Sequence, residues 1–409
     1  MNSSTPKGFW TLRYTLINAL YFAAFCTIHA LAAVYLLANG FSNTEVGILL
    51  AVANITSAIC QPIVAGIIDK PGWLTNRRFI LISVIVIMLG SLILAMVHSN
   101  KAVIFIVYAL IYMIQFAYQP VMTALYFEYE KAGCNIYYGL ARGLGSASFA
   151  VTSAFIGGFV EKKGVSILLI VNVITMVLSA IVVFTFIKPE SKPDEDDKTV
   201  KTEEEAHNNF LDFARTYPAF VIFLIGTICF YFAHNMINDF MIQIIRNLGG
   251  GEKELGYSNF LQAILELPVM AVMPFVLKKI SSKTLLIVSG VAFFIKILIL
   301  IFATNMAMMY LSQSFQLFAY AVYIPAVAYY VNETMSANDQ VKGQAFVTSA
   351  ITIGGVFSNL ISGVILDHLG IKVMLITGTV VCALGVVIAV SAMLKPEKNN
   401  YRVFQKMKL

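Results

Sequence analysis

Lys296 lies in the stretch GVAFFIKILILIF (290–302), one ammonium among twelve residues that suit lipid. A charge at the centre of a bilayer costs about 3 kcal/mol on insertion scales and points to function. Glu266, in LQAILELPVMAV, is the one clear carboxylate in the middle of an apolar run. An opposite charge nearby would keep both groups ionised. The two are therefore expected to meet in the protein interior, where Glu266 could load and release a proton. Two further apolar runs carry His29 and His234, the second followed by Asn235, Asn238 and Asp239. Tyr112, Gln115 and Gln119 stand at i, i+3 and i+7, on one helical face, and Gln313, Gln316 and Tyr320 repeat the pattern. Amides offer donors and acceptors that match sugar hydroxyls, and aromatic faces cover the apolar surface of a sugar or base. The alternative is packing: a lone membrane histidine usually anchors an interhelical hydrogen bond.

The elements that hold these groups are membrane helices. Of 409 residues 59% are hydrophobic and 12% charged, about half the charge of a soluble domain. Runs of about 20 apolar residues, each able to cross a bilayer, recur along the chain. Twelve spans are expected, at 9–38, 45–68, 79–97, 102–126, 140–160, 165–187, 218–245, 254–277, 283–303, 306–331, 342–366 and 371–394. The first run lacks a short apolar region followed by a cleavage site and reads as a retained span. With the N-terminus cytoplasmic, 21 of the 28 lysines and arginines fall in inside segments and six in outside loops. Both termini are thus expected in the cytoplasm. The net charge of +6 follows that bias and gives no reason to invoke nucleic acid. Five scattered cysteines form no metal-ligand spacing and read as packing residues.

Between spans six and seven, KPESKPDEDDKTVKTEEEAHNN (188–209) carries eight acidic residues and too little apolar surface to fold. It divides a six-helix half (1–187) from a second half with a tail (218–409), the linker being 188–217. The halves repeat each other. TEVGILLAVANITSAICQPIVAGIIDK (44–70) matches ELGYSNFLQAILELPVMAVMPFVLKK (254–279), QPVMTALYFEYEKAG (119–133) matches YIPAVAYYVNETMSA (323–337), and GGFVEKKG (157–164) matches GVILDHLG (363–370). The offsets cluster near 205, which would make His29 and His234 equivalent. Inverted or parallel repeats of this kind build transporters with a site near the midplane.

The 6+6 layout and the loop GIIDKPGWLTNRR (66–78) resemble the major facilitator superfamily over the whole chain. Gly66, Asp69, Lys70, Gly72, Arg77 and Arg78 fill the roles of its signature between spans two and three, with two or three extra residues before the basic pair. The resemblance implies that this loop latches a cytoplasmic gate; a plain charged turn is the alternative. YYGLARGLGS (137–146) and AYYVNET (328–334) resemble the lactose-permease branch of oligosaccharide–proton and nucleoside–proton symporters. That likeness implies that Arg142 contacts the solute, that Glu266 and Lys296 match charged residues of the branch, and that Arg142 pairs with a span-four glutamate. Here the matching position is Ala124, with Glu128 and Glu130 farther along. The branch's span-ten histidine and glutamate are replaced by Gln316 and Ala319 in one register, or by Tyr320 and Tyr323 in another. If protons drive transport, Glu266 is then the best carrier, with a histidine or Asp239 as substitute.

No GxxxxGK[ST], HExxH or GxSxG motif occurs, so neither ATP-driven nor hydrolytic chemistry is expected. The reading is an all-α, twelve-helix membrane transporter of a small polar solute, an oligosaccharide or nucleoside. It would be coupled to protons, without a cofactor or metal, and monomeric in a bacterial inner membrane. An exporter of amphipathic compounds and a non-transporting receptor are the alternatives, the first suggested by 30 Phe and 17 Met. The small-residue runs 139–158 and 345–363 would allow close helix packing.

Overall fold

The computed structural model describes residues 7–70, 72–97, 100–188 and 210–394. The expected linker lies mostly outside them, over 189–209. Every regular element among the described residues is helical. In the first part of the chain α1 (Lys7–Phe25) runs through a π-turn (Cys26–Ala30) into α2 (Ala32–Ala38). There follow α3 (Asn43–Ile68), α4 (Asn76–Met96), α5 (Lys101–Lys131), α6 (Tyr138–Lys163) and α7 (Ser166–Thr185). In the second part α8 (Phe210–Thr216) precedes α9 (Pro218–Asp239), α10 (Met241–Asn247), α11 (Glu252–Val276) and α12 (Ser282–Ile301). Then come α13 (Met306–Ser314), a 3-10 turn (Phe315–Leu317), α14 (Tyr320–Thr334), α15 (Ala337–His368) and α16 (Gly370–Leu394).

Among the described residues eleven spans are long and apolar enough to cross a membrane, α13 and α14 counting as one, and α1 with α2, bent by 50°, supplies a twelfth. Local chemistry sets the helix starts. Ser42 and Glu45 form a reciprocal capping box on α3, and Thr75, Asn100, Ser281 and Asn305 cap α4, α5, α12 and α13 through their side chains. Gly40, Gly164, Gly249 and Gly370 take φ near +80°, which ends one helix and frees the chain to begin the next. On α3 a stripe of Ile48, Val52, Ile55, Ile59, Ile63 and Ile67 stays exposed at helical spacing, as a lipid-facing surface requires.

The chain divides into two compact units, Met1–Lys198 with Gly249–Ile264, and Thr199–Leu248 with Leu265–Leu409. Helix α11 begins in the first and ends in the second. In the first unit α1 packs on α6 and α7, and α4 on α5 and α7. Asn172 of α7 ties these helices together, accepting from Ser91 at 3.0 Å and donating to the Ala24 carbonyl and to Thr27. In the second, α9 packs on α15 and α16, and α12 on α14 and α16. A Cβ at Gly354 would lie 2.6 Å from the Ile228 carbonyl oxygen, so the small-residue run lets α15 approach the backbone of α9.

The helix ends correct the register of the repeat. Leu31 (φ −116°, ψ 21°) breaks the first span and Phe240 (φ −114°, ψ 22°) the seventh. Gly40 corresponds to Gly249 in the same way, and the Ser42–Glu45 cap to the bond from the Gly251 amide to Glu254. All three correspondences have an offset of 209, whereas Pro120 and Pro325, inside α5 and α14, keep 205. His29 therefore corresponds to Asn238, and His234 to Phe25. The two histidines are one helical turn out of step.

Candidate functional site

Lys296 is fully buried on α12, and its Nζ donates to Gln316 Oε1 at 2.8 Å. Gln316 sits in the 3-10 turn between α13 and α14, and its Nε2 donates to Glu266 Oε1 of α11, also at 2.8 Å. The sequence predicts an acid–base pair; in the structure one amide hydrogen-bonds to both of its members. The insertion is chemically apt, because the amide presents its oxygen to the ammonium and its N–H to the carboxylate. Ser312 secures the geometry by donating to the Lys296 carbonyl at 2.6 Å. Gln313 is buried but turns to Ser312 and stays out of the relay.

Beside the relay, His234 stacks on Tyr320 (ring centroids 5.4 Å apart, planes at 16°) and meets Phe293 and Tyr231 edge-on. Its Nε2 pairs with the Asn238 amide at 2.9 Å, one turn on. Asn235 has a different role: its amide packs on Gly355 of α15, where a Cβ would come within 2.7 Å. Asp239, at the end of α9, faces Asn359 of α15.

The first unit holds a second histidine cluster without ions. His29 lies in the π-turn, stacked on Phe25 at 3.8 Å and 9°, with Tyr112 at 3.8 Å and Phe116 edge-on at 4.7 Å. Gln115 is buried beside it. Apart from each other, the imidazole and that amide have no hydrogen-bond partner among the described residues. Gln119, one turn farther along α5, is part-buried and outside the aromatic cluster. Arg142 lies over Phe22 at 4.3 Å and donates to Ser146 at 2.7 Å. No carboxylate pairs with it among the described residues, and Glu128 is taken by Lys188 at 2.6 Å and Asn76 at 3.0 Å.

The described residues of the loop 66–78 do not form one charged cluster. Asp69 caps the end of α3, and among the described residues neither it nor Lys70 joins the basic pair in an ion pair. Gly66 lies in α3 with open space around its Cα. Arg77 reaches back to the last carbonyls of α7, donating to Val183 at 3.0 Å and to Phe184, while Arg78 donates to the Trp73 carbonyl at 2.6 Å. A cation at a helix C-terminus satisfies carbonyls that lack helical partners.

A model of the MFS_1 like family matches residues 10–377. The chain belongs to that family. MFS proteins of this kind are transporters, and this one is a multi-pass membrane transporter and not an enzyme. It is similar to the sucrose permease of Escherichia coli, 25% identical over a 292-residue alignment that covers 68% of each chain. Its fold matches a crystal structure of the nucleoside transporter NupG with a TM-score of 0.75 and 16% identity, covering 95% of this chain and 99% of that one. A variant of NupG reaches 0.79 at 14% identity, covering 94% and 100%. A bacterial homologue of the human lysosomal transporter Spinster reaches 0.68 at 14% identity, covering 99% of both.

Several MFS residues that shape the site escaped the sequence reading. Phe293 and Tyr231 look like lipid-facing bulk in an apolar run. Ser312 carried a faint signal, since SQSFQ is an unusually polar stretch inside a span. Nothing in the local pattern singled out Asn359.

Proposed function

We propose that this transporter is a proton-coupled symporter of a small polar solute, an oligosaccharide or a nucleoside, working by alternating access. The Lys296–Gln316–Glu266 relay carries this reading. Glu266 takes up and releases the proton, and Gln316 reports its state to Lys296 by losing or regaining a charged acceptor. His29, Tyr112, Gln115 and Gln119 in the first unit, with Arg142, are assigned to the solute. So are His234, Asn235, Asn238, Gln313 and Tyr320 in the second, with Gln316 shared between solute and relay. Stacked rings would cover one face of a sugar or base, and the polar atoms of His29 and Gln115 would meet its hydroxyls. The names of the relatives, a sucrose permease and a nucleoside transporter, support both solute classes. The halves 1–187 and 218–409, the cytoplasmic termini, the latch role of Gly66, Asp69, Lys70, Arg77 and Arg78, and a monomeric state belong to the same proposal.

The test is uptake of labelled sucrose and of labelled nucleosides into proteoliposomes, with and without an imposed pH gradient. Uphill accumulation that collapses with a protonophore supports symport. Binding without saturable flux would identify a receptor instead.

A further inference from the structure

Asp239 is not part of the relay. It ends α9, and the chain turns at Phe240 before α10 begins. The Gln243 amide, which a continuous helix would give to the Asp239 carbonyl, goes instead to the Phe240 carbonyl at 3.2 Å. The break thus sets a carboxylate and a backbone carbonyl together at the negative end of a 22-residue helix. Across from it α15 runs alongside, Gly355 against Asn235 and, four residues on, Asn359 against Asp239. Asn359 is fully buried, and its side chain has no hydrogen-bond partner other than the Asp239 carboxylate it faces. Ser362, three residues farther on the same face, is also fully buried, with an Oγ that lacks a partner. No lysine, arginine or histidine forms an ion pair with Asp239 among the described residues.

We propose that Asp239, Asn359 and Ser362, with the Asp239 carbonyl, form a sodium-binding site separate from the Glu266 relay. Oxygen ligands of this kind suit hard cations. One carboxylate balances one positive charge, so the site fits a monovalent ion and would leave a divalent ion with excess charge in a buried place. Helix breaks that combine carbonyls with acidic side chains are a known way for membrane helices to hold sodium. The ion supplies what the polypeptide lacks here: a positive partner for Asp239 and an acceptor-seeking centre for the Asn359 and Ser362 oxygens. Bound sodium would clamp α9 to α15 at the break.

The experiment uses the full-length protein in detergent, at fixed pH and ionic strength, in NaCl, KCl or choline chloride. A saturable rise in Tm in sodium alone is expected, together with one radiolabelled sodium ion bound per chain by equilibrium dialysis. Asp239→Asn should abolish binding. Ser362→Ala, a milder change, should weaken it about tenfold, the loss of one ligand to a charged centre. Glu266→Gln should bind sodium as the unaltered protein does, so failure of the proton reading and failure of the sodium site give different results. The proposal is overturned if no sodium binds, if potassium and choline stabilise equally, if stability follows pH and not sodium, or if Asp239→Asn binds normally.

Discussion

The two histidine clusters start from related positions and end with different chemistry. His29 sits among Phe25, Tyr112 and Phe116, with a buried glutamine and no ion beside it. His234 sits among Tyr320, Phe293 and Tyr231, next to a lysine that an amide links to a glutamate. Both use aromatic stacking, so stacking is the shared inheritance. The buried lysine and the glutamate linked to it belong to the His234 side. The contrast teaches that a duplicated helical half can keep its aromatic scaffold while one copy alone gains the buried lysine and glutamate.

The largest effect should come from breaking the charged side. Lys296→Met leaves Glu266 without its cation, and loss of one member of a buried pair costs about 3–5 kcal/mol. A steep fall in thermal stability in detergent is expected, partly restored when Glu266→Gln is added. Gln316→Leu sharpens the point. If the amide transmits the interaction, the Lys296–Glu266 double-mutant cycle should become nearly additive in that background. Coupling of unchanged size would show that the two charges interact without the bridge.

A comparable effect, seen in transport and not in folding, is expected from Glu266→Gln alone. Accumulation driven by a pH gradient should vanish, while exchange of labelled for unlabelled solute continues. Accumulation at the level of the unaltered protein would remove Glu266 as the coupling group.

Smaller effects should mark the aromatic faces, one on each side. Tyr112→Leu and Tyr320→Leu each remove one stacking face, worth about 0.5–1.5 kcal/mol. A rise in KM of about two- to tenfold is expected from either, with coupling to protons intact. If Tyr320→Leu also uncouples transport, the stack and the relay act together and the division between them fails. Smallest of all should be a labelling difference. In a background without native cysteines, cysteine at 29 and at 234 should react with a hydrophilic thiol reagent, each slowed by solute. No reaction at either would make both histidines packing residues.

Hydropathy made the spans legible because lipid imposes one demand on about 20 residues at a time. The polar residues Lys296, Glu266 and Gln316 stood out for the same reason. Their order in space did not, since the bridge depends on a 3-10 turn at Phe315–Leu317 that breaks span ten. Span one looked continuous over 9–38, yet a π-turn bends it after His29, and span seven, expected over 218–245, breaks at Phe240. Apolar runs contain no signal for such breaks, which come from packing and not from composition. The offset of 205 expected around the histidines holds at Pro120 and Pro325, whereas Glu45 and Glu254 stand 209 apart, so the four-residue slip lies between those positions.

The buried Lys296 also constrains how the protein is made. Thirteen Leu, Ile, Val and Phe residues fill α12 between Leu285 and Ile301. Each favours insertion by about 0.3–0.6 kcal/mol, against about 3 for a central lysine. The segment can therefore leave the translocon on its own, carrying its charge with it. Glu266 has reached the bilayer by then, but Gln316, farther along the chain, has not. The ammonium enters the bilayer before its bridging amide arrives, and span ten, with a mean hydropathy of only 1.3, comes second and docks on a charge already in place.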